Sequence, residues 1–167
     1  MATEKKGKDL RANIPITKPI VYLDMDGVLC DFDLRHEELL KRGIPKDEAF
    51  DHPEAYLDLK PIPGAIEAYN ELEKNFEVYI LSTASWDNIH SWKEKRIWVE
   101  DYLGEPIKKK LILSHNKGLL KGDYLVDDRI AYGVGDFEGV HIHFGTKRFP
   151  DWKAVLKYFR KIVNDNS

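Results

Sequence analysis

Four short apolar, β-branched runs punctuate the chain: Ile20-Val21-Tyr22-Leu23, Val78-Tyr79-Ile80-Leu81, Leu111-Ile112-Leu113 and Tyr124-Leu125-Val126. None alternates strictly with polar residues, which is the pattern of strands covered on both faces. A fifth run, Val140-His141-Ile142-His143-Phe144, alternates and reads as a weaker strand. Helical periods lie between the runs. Gly64 to Lys74 carries Ile66, Tyr69, Asn70 and Leu72 after the stop signal Pro61-Ile62-Pro63. Asp87 to Leu103 sets Ile89, Trp92, Arg96, Val99 and Leu103 near a 3.6 period and ends at Gly104-Glu105-Pro106. Asp151 to Val163 predicts a last helix with Trp152, Val155, Leu156, Phe159 and Val163 on its apolar face. Strands alternating with helices imply an α/β fold with a mostly parallel, doubly wound sheet.

Two stretches fall outside that rhythm. Residues 1 to about 17 are polar and lysine-rich and read as a loose tail ahead of a core domain spanning 18–167. Residues from about 33 to 62 hold a short helix near Leu34 to Arg42, then Pro45, Pro53, Pro61 and several aromatics. They read as a small helical cap inserted over the carboxyl end of the sheet, where ligands of open α/β sheets bind.

Composition narrows the class. A hydrophobic share of 43% in 167 residues is enough to build one core. The formal net charge of −3 supplies no global basic field, which argues against nucleic acid or an anionic membrane as partner. The start of the chain has no apolar run like a secretory signal, and no run approaches a membrane span. The single cysteine, Cys30, has no internal partner and suits a reducing cytoplasm. Oligomeric state is not written in these features.

The chemistry sits at strand ends. Leu23-Asp24-Met25-Asp26-Gly27-Val28 puts two carboxylates two residues apart behind an apolar strand. In extended chain, positions i and i+2 share a face, so the two charges repel unless a proton or a cation intervenes. Gly27 permits a sharp turn and a close backbone approach. The bland reading is an Asx-type turn closing a strand. Tyr124-Leu125-Val126-Asp127-Asp128 ends a second strand in acid, although an Asp pair often only caps a helix. Parallel strands bring their carboxyl ends to one edge, so three or four carboxylates can converge into an oxygen-lined site suited to Mg²⁺. Ser82 and Thr83 follow a third strand and offer hydroxyls. Lys117 follows a fourth and offers a cation. Either feature alone reads as a cap or a solvated charge. Together the four strand ends supply what phosphoryl transfer needs, positioning plus neutralised charge.

This order resembles the haloacid-dehalogenase (HAD) superfamily: DxDG after one strand, Ser/Thr after a second, Lys after a third and DD after a fourth. Within it the chain looks like the 5′(3′)-deoxyribonucleotidase family of cytosolic type C. The stretches that carry the likeness are DMDGVLCDF (24–32), LKPIPGAIEAYNEL (59–72), VYILSTAS (78–85), WVEDYLG (98–104), HNKG (115–118) and YLVDDR (124–129). The resemblance implies a Mg²⁺-dependent phosphomonoesterase acting on nucleotides through an aspartyl-phosphate. It implies Asp24 as nucleophile and Asp26 as general acid and base. Ser82, with Thr83 beside it, would bind the phosphoryl group, and Lys117 would neutralise charge. Mg²⁺ would be held by Asp24, the Asp26 carbonyl and Asp128, with Asp127 in support. Phe32 would stack on the substrate base. The chain departs from the animal enzymes in a shorter insertion without an obvious Phe-Trp pair, and in Trp86, which stands where they carry a phosphate-binding lysine. Two other readings compete. One is a phosphatase for a phosphosugar or a nucleic-acid 3′-phosphate. The other is an idle HAD-fold scaffold, which would gain nothing from crowding carboxylates.

The remaining candidates have plainer readings. Cys30 reads as a buried small hydrophobe. His141 and His143 lack a third residue spaced to complete a metal site. His115 stands near Lys117, at the site's edge or as a cap. Lys108-Lys109-Lys110 reads as a solvated face, while Lys147-Arg148 could touch a substrate. Gly133, Gly135 and Gly139 do not open a helix straight after a strand, and no GxxxxGK[ST] occurs. Trp86, Trp92, Trp98 and Trp152 are expected in the core.

Overall fold

The computed structural model describes residues 18–167, so the expected tail at 1–17 lies outside the described residues. The elements run β1 (Ile20–Leu23), α1 (Phe32–Lys41), α2 (Ala65–Leu72), β2 (Glu77–Ser82), α3 (Ile89–Leu103), β3 (Leu111–Leu113), β4 (Tyr124–Asp127), β5 (Val140–His143) and α4 (Trp152–Asp165). Short 3₁₀ turns occupy Glu105–Ile107, Lys117–Leu119 and Val134–Asp136. All five strands pair in parallel in the order β3-β2-β1-β4-β5. The sequence thus grows outward from β1 in one direction and then, from β4, in the other. This is a topological switch point, and it lies between β1 and β4.

The apolar runs of β1, β2 and β4 bury as their pattern requires, while the β3 run is only half-buried at the sheet edge. Val21, Leu23, Val78, Ile80 and Val126 join the larger core with residues of α2, α3 and α4. Tyr22, Leu81 and Leu125 point to the opposite face, where Val134 and Phe137 close a smaller cluster. Consecutive strand residues therefore alternate between two covered faces, which is why the runs show no polar alternation. Among the described residues no helix is long and apolar enough to cross a membrane.

Caps set the helix starts. The Asp31 carboxylate accepts from the Leu34 N–H at 2.9 Å and opens α1. Asp151 does the same for Ala154 at the start of α4. Asn88 caps α3 by accepting from the His90 N–H, which is why that helix starts later than the period beginning at Asp87 suggests.

The apolar face expected for α3 needs correction. Val99 and Leu103 are buried, but Ile89 is 73% exposed and Arg96 lies at the surface. The inward face is instead Ser91, Glu94, Lys95, Trp98, Val99 and Leu103. Its first two turns meet polar groups at the sheet's carboxyl end, so polar side chains fill positions that periodicity reserves for apolar ones. Trp98 and Trp152 are buried as expected, whereas Trp86 is 77% exposed.

Two indoles peg loops to the core. Trp152 donates its Nε1–H to the Val28 carbonyl at 2.8 Å, and Trp98 donates to the Leu59 carbonyl at 2.7 Å. The segment 33–62 is tied down further. Asn88 donates to the Phe50 and His52 carbonyls, and Arg35 donates to the Glu54 and Leu57 carbonyls.

Candidate active site

Two central strands deliver the carboxylates. Asp24 is the first residue past β1, and its N–H donates to the Val126 carbonyl of β4 at 3.0 Å. Asp127 ends β4, and Asp128 follows it. Asp24, Asp127 and Asp128 each offer an oxygen, and these oxygens lie within 4.8 Å of one another. Asp24 lies more than a hundred positions from the adjacent pair Asp127 and Asp128, and the three meet beside the switch point.

The chain then turns tightly behind Asp24. The Met25 carbonyl accepts the N–H groups of Val28, Leu29 and Cys30. Gly27 adopts a left-handed φ of 78°, and a Cβ there would run into the Asp128 carboxylate. The turn also ends the extended geometry assumed for positions 24 and 26. Asp26 lines the same cavity, but its carboxylate stands outside the trio and pairs with Lys95.

Lys117 bridges two of the trio, Asp24 and Asp127. Its Nζ lies 2.9 Å from Asp24 Oδ1 and 2.5 Å from Asp127 Oδ2. A short 3₁₀ turn presents it, held by the Asn116 side chain on the Gly118 N–H and by its own N–H on the Tyr132 carbonyl. Asp127 Oδ1 accepts from the Arg129 N–H at 2.9 Å. His141 and His143 stack on one another and place Nε2 at 3.0 Å from the Asp127 and Asp128 carbonyls, respectively. These histidines brace the acidic turn.

The electrostatics follow from burial. Desolvation pushes the Asp24 carboxyl up to about 7, against the pull of Lys117 and aided by Asp127 and Asp26. Burial and the Asp127 charge also raise Asp128. Lys117 loses hydration too, but Asp24 and Asp127 outweigh that loss and hold its pKa above the ordinary lysine value. Among the described residues, Asp128 Oδ1 is buried without a hydrogen-bond partner. An orphaned carboxylate oxygen facing two more carboxylates fits a hard divalent cation, which would supply the partner and relieve the repulsion.

Around this centre lies a cavity of about 370 Å³. Thr83, His115 and Lys117 line it. The Thr83 hydroxyl donates to the Ser114 carbonyl at 2.8 Å. Ser82 is buried beneath, and its hydroxyl accepts from Lys95 at 3.0 Å. One wall is aromatic. Phe32 packs against Tyr56 and Phe50 with ring centroids 5.0 and 5.7 Å apart, and all three face the cavity. The short insertion thus furnishes an aromatic wall through Phe50 and Tyr56, with no Phe-Trp pair. Across the mouth, Trp86 lies edge-on to His115. Arg148 packs over Phe149 and Tyr158 and does not line this cavity. Cys30 is buried.

Sequence reasoning missed Lys95. It is 2% exposed, and its Nζ lies 2.8 Å from Asp26 Oδ2, yet it sits in the run Lys93-Glu94-Lys95-Arg96, which reads as solvated charge.

A family model described as 5′ nucleotidase, deoxy (pyrimidine), cytosolic type C protein matches residues 45–152. A protein of Vibrio phage KVP40, described provisionally as a 5′(3′)-deoxyribonucleotidase, is 50% identical over 143 residues, covering 84% of each chain. The human cytosolic-type 5′(3′)-deoxyribonucleotidase is 29% identical over 167 residues, covering 81% of this chain and 78% of its own. The 5′(3′)-deoxyribonucleotidase of Bacillus subtilis is 28% identical over 148 residues, covering 76% and 85%.

Proposed function

Because this chain belongs to the cytosolic type C family of 5′ deoxy (pyrimidine) nucleotidases, we propose that it hydrolyses the phosphate of (deoxy)ribonucleoside monophosphates with Asp24 as nucleophile. The observation that carries this reading is the Asp24 carboxylate, buried and held by Lys117 beside Asp127 and Asp128 at the switch point. A carboxylate kept rigid, dehydrated and flanked by a cation is placed for in-line attack on phosphorus.

In the first step an Asp24 oxygen bonds to phosphorus and the bond to the sugar oxygen breaks. Asp26 gives its proton to that leaving oxygen. In the second step water attacks the aspartyl-phosphate, Asp26 takes the water's proton, and inorganic phosphate departs. Lys117 offsets the charge of Asp24 and of the phosphate oxygens. The Ser82 hydroxyl spends an acceptor site on Lys95 and keeps its own proton for a phosphate oxygen. Asp24, Asp128 and the Asp26 carbonyl would hold Mg²⁺, with Asp127 in support, and the ion would supply Lewis-acid neutralisation of the transferring group. Phe32, Phe50 and Tyr56 form a face on which a nucleobase can stack. A cytoplasmic setting accords with the location named for the human relative.

The test is release of phosphate from deoxynucleoside monophosphates and from an aryl phosphate. Activity should require Mg²⁺ and vanish with EDTA. Asp24→Asn should lose activity by a factor on the order of 10⁴ or more, as enzymes do when a covalent nucleophile is removed. Faster turnover of sugar phosphates than of nucleotides would overturn the substrate assignment. Retained activity in Asp24→Asn would overturn the mechanism.

A further inference from the structure

Lys95 projects from α3 into the space beneath the cavity. Its Nζ lies 2.8 Å from Asp26 Oδ2 and 3.0 Å from Ser82 Oγ, and 5.3 Å from the centre of the Tyr56 ring. A lysine at 2% exposure surrenders its hydration and most of its rotamer freedom. That cost is met only by partners that hold it in place, and both polar partners here belong to the reaction centre. Among the described residues, the other Asp26 oxygen meets only the Cys30 thiol, at 3.5 Å. The Asp26 side chain is itself 25% exposed and opens the turn, so among the described residues only Lys95 and the long Cys30 contact fix the direction of its carboxylate.

We propose that Lys95 is a positioning residue that clamps Asp26 Oδ2 and leaves Asp26 Oδ1 free to exchange the proton with the leaving oxygen. The assignment rests on the acid role given to Asp26 above. Lys95 makes no contact with substrate in this arrangement. It acts by keeping one carboxylate oxygen engaged, so that the second is presented in a single orientation. The same ammonium donates to Ser82 and leaves that hydroxyl's proton free. One buried cation on α3 therefore aligns side chains delivered by two different strands.

The leaving group separates this role from a merely structural one. A nitrophenolate departs without a proton, whereas a sugar alkoxide needs one. The quantity kcat/KM reports only the steps up to loss of the leaving group, so the later water attack does not enter it. The experiment compares kcat/KM for a deoxynucleoside 5′-monophosphate and for p-nitrophenyl phosphate in wild type, Lys95→Met, Asp26→Asn and the double variant. Lys95→Met should lose about a hundredfold on the nucleotide, the lower range of general acid catalysis, and at least roughly tenfold less on the aryl ester. In the Asp26→Asn background, Lys95→Met should cost less than about threefold further, because two residues acting as one unit are not additive. Should Lys95→Met fail to fold, Lys95→Gln is read by the same comparison. Equal losses on both esters, or additive losses in the double variant, overturn the proposal while leaving the role of Asp26 intact. If Asp26→Asn itself shows no preference between the esters, the acid role fails and takes this proposal with it.

Discussion

Gly27 shows how one residue can be required by another far along the chain. Its left-handed φ and its lack of a side chain bring the nucleophile turn against the Asp128 carboxylate. Gly27→Ala has to strain the turn or push Asp128 aside. We expect it to cost about 1–3 kcal/mol of stability, the usual range for a non-glycine residue forced into that conformation. It should also weaken Mg²⁺ binding by roughly tenfold, since a displaced ligand loses about one decade's worth of free energy. Calorimetric titration of Mg²⁺ and thermal unfolding together check it, and undiminished Mg²⁺ affinity would remove Asp128 from the metal site. The need for a glycine at 27 was legible in the sequence. Its neighbour was not, because nothing in a linear pattern pairs 27 with 128. Lys95 was hidden for a related reason. Flanked by Lys93, Glu94 and Arg96, it reads as surface until the fold carries that turn of α3 over Asp26.

At the scale of elements, the apolar runs announced β1 to β4; those of β1, β2 and β4 are covered on both faces, while β3 is a short, half-buried edge strand. The alternating fifth run is an edge strand whose first residue, Val140, is exposed. The helix starts shifted by a residue or two where a cap took the position, as with Asn88. The segment from 33 to 62 was the least legible part. Its prolines and turns carry no periodicity, and its fold depends on contacts with other elements: Asn88 holding the Phe50 and His52 carbonyls, and Trp98 holding the Leu59 carbonyl. What that segment contributes is the aromatic wall. Phe50 is half exposed and stacks on Phe32. Phe50→Ala should raise KM for a deoxynucleotide about fivefold to tenfold, in line with base–aromatic stacking worth about 1–3 kcal/mol. KM for deoxyribose 5-phosphate, which has no base, should move less than about twofold, well under one decade of binding energy. Equal shifts on the two substrates would show that Phe50 only supports the wall.

Over the whole molecule, the carboxyl edge of the sheet concentrates like charge where folding would otherwise avoid it. Asp24 bears the cost most directly. Unfolded, it ionises near its ordinary value of 3.8, and folded, near 7. Between these values the folded chain holds a proton that the unfolded chain has released. Stability from this group therefore falls as pH rises through that window and is lowest above it. With EDTA present, Asp24→Asn should melt above wild type by roughly 5 °C at about pH 8, a shift of the size expected for a kcal/mol or so in a domain this large. The gap should close towards about pH 3, where the wild-type carboxyl is mostly protonated in both states. Excess Mg²⁺ should raise wild type more than the variant, because a ligand of the folded state stabilises in proportion to its binding. A lower melting point for Asp24→Asn at the higher pH would mean that attraction to Lys117 outweighs the desolvation and the repulsion.

The indole of Trp152 reaches back to the Val28 carbonyl, across most of the chain, to fasten the turn that carries Asp24 and Asp26. During synthesis that turn leaves the ribosome long before its fastener does. A nascent chain therefore owns its reactive groups well ahead of the means to keep them still. Competence arrives late, conferred by a helix that never meets the substrate.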